Sequence, residues 1–172
     1  MDALSNELER CVGCGAMVPV ASGATHKYME SAPGCWALFG EVLALEYSDY
    51  RYAKVHRLSV DAYAVQHPGQ PSPQTIQSVA LHLISLCLIL EHQVEMEHAT
   101  KAIQLAAQHK SSYSWLVPPD SLGSKTVLDV WKGKEDADGH EAVVRAWAQS
   151  AWEAWTPHYE TVRGWIPKEL GL

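Results

Sequence analysis

Apolar positions recur at helical spacing along most of the chain after residue 33, whereas the preceding stretch has no such rhythm. In "SAPGCWALFGEVLALEYSD" the residues Trp36, Phe39 and Leu43 fall on one side, Pro33 suits a first helical turn and Ser31 suits an N-cap. This predicts a first helix from about Pro33 to Tyr47. The next stretch, "YRYAKVHRLSVDAYAVQHPG", places Tyr52, Val55, Leu58 or Ser59, and Ala62 on one side and stops before Pro68-Gly69, which predicts a second helix. Ser72-Pro73 opens a third, and within it the run from Val79 to Leu90 is apolar nearly all round, as expected of a central buried helix. Glu91 to Glu97 is polar and breaks the pattern before "HATKAIQLAAQHK" resumes as a fourth helix.

A long connection rich in Pro, Gly and Asp follows, in which "TVLDVW" reads as a short helix or a brief strand. Then "HEAVVRAWAQSAWEAW" lines up Val144, Trp147, Ala151 and Trp155, and Thr156-Pro157 opens a final helix, "HYETVRGWI". No stretch alternates in period two for long enough to predict a strand, and no internal repeat is present. The expected fold class is mainly α: an irregular single domain of roughly five to six helices with an N-terminal zinc-knuckle-like arm. Residues 1–34 form the arm and residues 35–172 the helical domain.

Composition narrows the classes of function. A chain of 172 residues with 47% apolar content can bury a core of its own, and seven Trp and seven Tyr carry most of the aromatic load. With 20 acidic against 13 basic residues the net charge is -7, which argues against general nucleic-acid binding, since that needs a basic face. The opening "MDALSNELER" has neither the basic start nor the apolar core of a secretory signal, so a cytoplasmic location is expected. The apolar run Val79 to Leu90 is short of the ~20 residues that span a membrane, and no membrane association is expected.

In a reducing compartment four cysteines favour metal binding or redox chemistry over disulfides. Cys11 and Cys14 form a C-x-x-C within a Gly-containing turn, where both sulfurs can point to one side, as in half of a structural zinc site. His26 and Cys35 complete a Cys3His set of donors for Zn2+, with eleven residues between Cys14 and His26 and eight between His26 and Cys35. Cys35 falls in the first turn of the first predicted helix, where free amides and the helix dipole favour a thiolate. Competing readings are a redox pair, a reactive Cys35, or cysteines kept as small residues. A redox pair normally sits at a strand-to-helix junction in a βαβ setting, and no such setting is predicted here. Cys87 lies in the apolar helix as a core filler.

The chain also holds nine histidines. His82 sits inside the apolar helix, where an imidazole needs a partner, and Asp61, Tyr63 or a carbonyl could supply one. Alternatively His56, Asp61, His67, His82 and His158 line a site between the second, third and last helices, as in a small metal-dependent enzyme. Glu95-x-x-His98 is a single copy of a motif that carboxylate-bridged centres use twice. No nucleophile elbow and no phosphate-cradling Gly-rich loop is present. Trp131, Trp147, Trp152, Trp155 and Trp165 crowd the C-terminal third, which suits core packing or a face for a protein partner or a second copy.

The strings "CVGCGA", "THKYMESAPGCWALFGEVLALEYSD", "HRLSVDAYAVQHPG", "SVALHLISLCLILE" and "WEAWTPHYETVRGWI" together resemble an uncharacterised bacterial family, the domain of unknown function DUF5946. The resemblance runs from Cys11 to about Ile166. It implies no activity, substrate or catalytic residue, only that similar chains present the same arm and histidines.

Overall fold

The structure is a computed structural model that describes residues 7–172; residues 1–6, the start of the expected arm, lie outside it. The chain is mainly helical. Among the described residues a two-stranded antiparallel hairpin, β1 (Leu8–Arg10) and β2 (Met17–Pro19), precedes eight α-helices. These are α1 (Pro33–Ser48), α2 (Tyr50–Ala53), α3 (His56–Gln66), α4 (Pro73–Leu90), α5 (Met96–Ala106), α6 (Val127–Lys132), α7 (Ala137–Ala154) and α8 (Tyr159–Gly164). Eight helices exceed the five or six expected. The hairpin was also unexpected, because strands of three residues are too short to display alternation.

Two of the extra helices have clear causes, one local and one tertiary. Within "TVLDVW" the Thr126 side chain accepts from Leu128 N, and the Asp129 carboxylate accepts from Thr126 N at 2.8 Å, a reciprocal cap that starts α6 as a helix. The second predicted helix is broken at Lys54-Val55 into α2 and α3. The break allows Tyr52 and Val55 both to be buried and delivers the His56 ring to Glu46. At α1 the N-cap is Ala32 rather than Ser31 and makes no side-chain cap, so Pro33 at the first turn carries the start.

α4 is the spine. Ser72 and Thr75 form a capping box at its start, Pro73 follows, and Leu83, Ile84, Leu86, Cys87 and Leu88 are wholly buried. It is long and apolar enough to cross a membrane by length and composition, but 56% of it is buried inside the protein, which marks it as a core helix. α3 lies between α4 and α7, α1 packs on α6, and α5 and α8 pack on α4. Trp147, Trp152 and Trp155 are all buried in this core. The Trp147 indole donates to Gln66 Oε1 at 2.7 Å and that of Trp155 to Val65 O at 3.2 Å, so α3 and α7 are joined by hydrogen bonds as well as by packing.

Ala16 and Val18 of the hairpin belong to the same buried cluster as the helices. In the register Glu9↔Val18, Val18 turns inward against α1 while its neighbours Met17 and Pro19 turn outward.

Candidate metal centre

The turn between β1 and β2 is closed by Cys11 N donating to Ala16 O at 2.8 Å and Gly15 N donating to Cys11 O at 3.0 Å. Gly15 has φ of 75°, a left-handed conformation that glycine adopts without strain. This turn sets Cys11 and Cys14 on one side. Cys35 arrives from the first turn of α1, as its position after Pro33 implies, and His67 arrives from the C-terminal cap of α3.

These four residues form a cluster whose ligand atoms all lie within 4.8 Å of one another. Cys14 Sγ is 3.8 Å from Cys35 Sγ, and His67 Nε2 is 3.5 Å from both Cys11 Sγ and Cys35 Sγ. Zinc bonds of about 2.3 Å to sulfur and 2.0–2.1 Å to nitrogen, at tetrahedral angles, give edges of roughly 3.8 Å between sulfurs and 3.5–3.6 Å from sulfur to nitrogen. The donor set therefore has the size of a tetrahedral site. Cys11, Cys35 and His67 are buried, and Cys14 is partly exposed.

The surroundings orient the donors. His67 Nδ1 donates to Tyr63 O at 2.7 Å, which fixes the proton on that nitrogen and leaves the Nε2 lone pair facing the sulfurs. The Tyr63 ring stacks on the His67 ring at 3.9 Å between centroids, and its hydroxyl donates to Cys35 Sγ at 3.6 Å. Ala32 N donates to Cys11 Sγ at 3.4 Å. Gly13 admits His67 to the cluster, since a Cβ there would lie 2.3 Å from His67 Cδ2 and 2.5 Å from Glu30 O.

Left to themselves, the three sulfurs cannot all be charged. Hydrogen bonds from Cys14 and then Cys35 hold Cys11 far below the usual thiol range. The same bond to Cys11 pushes Cys14 up to about 12, and bonds to Cys11 and Cys14 raise Cys35 strongly, with burial adding to both. A divalent cation removes this conflict, since it attracts every thiolate at once.

His26 is not in the cluster, and the fourth place that the sequence assigned to it belongs to His67. His26 lies in the loop between β2 and α1, where its ring meets those of Tyr28 and Trp36 at 4.3 and 5.5 Å. Its Nδ1 accepts from Tyr28 N at 3.4 Å, and burial, followed by the charges of His82 and Lys27, holds it below the ordinary imidazole value. The α3 end brings His67 under the turn instead. No local spacing announces this; the only hint is an imidazole at a helix end before Pro68-Gly69.

The five residues expected to line a second site are dispersed. His67 belongs to the cysteine cluster, and His158 Nε2 donates to Val117 O at 2.8 Å. His56 Nδ1 donates at 2.8 Å to the buried Glu46, which also accepts from His140 Nε2 at 2.9 Å and Ser59 Oγ at 2.5 Å. Only Asp61 and His82 meet. Buried Asp61 accepts from His82 Nδ1 at 2.8 Å, from Ser85 Oγ at 2.5 Å and from the Arg57 guanidinium. His82 is thus partnered by a carboxylate, one of the two readings the sequence left open. Glu95 and His98 are exposed and join no cluster among the described residues. Cys87, Glu91 and His92 come within ligand distance of one another, but Arg163 occupies Glu91 through bonds of 2.9 and 2.8 Å, which suits an ion pair and repels a cation.

The fold and the cluster define a helical protein with a buried Cys3His donor set that could hold a metal ion. The chain belongs to a family of unknown function, DUF5946, whose sequence model matches residues 9–156. That span contains all four clustered residues. Searches of curated proteins and of solved structures each find no match.

Proposed function

We propose that Cys11, Cys14, Cys35 and His67 bind one Zn2+ as a structural clamp, and that the hairpin is a zinc-knuckle-like arm held on a cytoplasmic binding or assembly module. The observation that carries this reading is the match between the cluster's edges of 3.8, 3.5 and 3.5 Å and those of a tetrahedral zinc site. Thiolate and imidazole are also the donors zinc prefers, and four protein ligands leave no open position for water, as in structural rather than catalytic sites. The clamp joins the hairpin, the start of α1 and the end of α3 at one point.

The test is metal content after purification without added metal. Wild type and His26→Ala should each carry close to one zinc per chain, and His67→Ala should lose most of it. Retention of zinc by His67→Ala together with loss in His26→Ala would restore the ligand set read from the sequence and overturn this one.

A further inference from the structure

The four donors of the candidate centre are not equally protected. Cys11 is 1% exposed and Cys35 fully buried, whereas Cys14 is partly exposed. A cleft of about 760 Å³ opens over the turn, lined by Arg10 and the residues from Cys11 to Ala16 on one side and by Asp120 to Ser124 and Thr126 on the other. The far wall is fixed rather than loose. Gln66 Nε2 donates to Leu122 O and Lys125 O at 2.9 and 2.7 Å, and Ser150 Oγ accepts from Ser124 N at 2.7 Å. Cys14 is the one partly exposed donor lining this cleft, whose volume admits a small oxidant or alkylating reagent.

Resting on the zinc reading above, we infer that Cys14 is an oxidative modification site: a hydroperoxide entering this cleft oxidises it, and Cys35 resolves the product into a disulfide that expels the metal. The atoms balance as follows. The Cys14 thiolate attacks one peroxide oxygen, an S–O bond forms, the O–O bond breaks, and the departing oxygen takes a proton from water. The Cys35 thiolate, 3.8 Å away, then attacks the Cys14 sulfur, forming the S–S bond and releasing the second oxygen as hydroxide. Two sulfurs have lost one electron each and one peroxide has gained two. Only Cys11 and His67 would remain as donors, too few to retain Zn2+.

Exposure is what selects the site. Contacts among the four donors aside, each sulfur receives one hydrogen bond from its surroundings, from Ala32 N to Cys11, from Tyr63 Oη to Cys35 and from the Ala16 backbone to Cys14, so donation does not separate the three. Access does. The product would exchange a metal staple for a covalent one between the turn and α1, while His67 and the linker to α4 are let go. Arrival of oxidant would then be read as release of the α3 end from the hairpin.

The experiment uses the zinc-loaded full chain. Limiting N-ethylmaleimide, followed by peptide mapping, should label Cys14 roughly tenfold faster than Cys11, Cys35 or the core residue Cys87. Hydrogen peroxide should release one zinc per chain, read with a colorimetric chelator, in step with a disulfide mapped to Cys14 and Cys35, and thiol reductant plus zinc should reverse both. Equal labelling of the three cluster cysteines, a disulfide between Cys11 and Cys14, or zinc retained under peroxide would overturn this inference and leave the clamp standing. A chain free of zinc before any oxidant is added would overturn the clamp itself.

Discussion

Single residues decide whether the turn and the α3 end can meet. Gly13 is the sharpest case, because its backbone lies so close to the His67 ring and to Glu30 O that any side chain must push one of them away. Gly13→Ala should cost about 2–3 kcal/mol, within the range of overpacking in a dense interior, and should weaken metal retention; urea unfolding and metal analysis would show both. A variant as stable and as metal-rich as wild type would mean that the contact is looser than described. The contrast between Gly13 and the cysteines explains what was legible at this scale. Cys11, Cys14 and Cys35 carry their chemistry in residue type, in a four-residue spacing and in a helix-start position. His67 and Gly13 carry theirs in an approach between segments more than fifty residues apart, as the 56-residue separation of Cys11 and His67 shows, and no local pattern encodes it.

Among elements, the most exacting junction is where α1, α3 and α7 converge on the buried carboxylate of Glu46. Burial alone would raise its pKa, but the bonds from His140, His56 and Ser59 outweigh this and hold it below the ordinary 4.5. A depressed carboxylate stabilises the fold above its unfolded value, and that contribution disappears as pH falls from about 4.5 through the lower folded value. Glu46→Gln should therefore destabilise at neutral pH by roughly 1–3 kcal/mol, the cost of leaving a buried imidazole N–H poorly paired. The gap between variant and wild type in urea unfolding should narrow when both are measured below about pH 4. A gap independent of pH would show that the carboxylate's charge contributes nothing. The helices around this junction were largely visible in the sequence, since Pro33, Ser72-Pro73 and the apolar stripes are strong local signals. The break between α2 and α3 was not, because it serves the burial of Tyr52 and Val55 and the reach of His56, which are tertiary demands. The three-residue strands were hidden for the simpler reason that they are shorter than the period that reveals strands.

At the scale of the molecule, the helical core and the hairpin are held by different means. α3, α4 and α7 bury apolar side chains and three indoles, whereas the hairpin places Ala16 and Val18 in the core and otherwise relies on the cluster. Chelation should accordingly be local. A strong zinc chelator should lower the melting temperature and speed amide exchange in residues 8–19 and around His67, leaving α4 and α7 protected. Uniform loss of protection would mean that the centre supports the whole core. The sequence showed a mainly helical fold with a cysteine-bearing arm. It did not show which part of the helical body the arm touches, because that depends on where the α3 end arrives.

The order of the donors along the chain also bears on how the molecule is made. Closing Cys11 onto His67 spans 56 residues against 21 for Cys14 onto Cys35, yet loop entropy makes the longer closure only about 0.9 kcal/mol harder. Distance along the chain is therefore a small obstacle, and sequence of appearance is the larger one. During synthesis the three sulfurs emerge before His67, so the four-donor set is complete only after α3 has been made and has folded. On the clamp proposed above, the N-terminal segment would be locked only once the first three helices exist, and before the tryptophans at the end of the chain are available to complete the core.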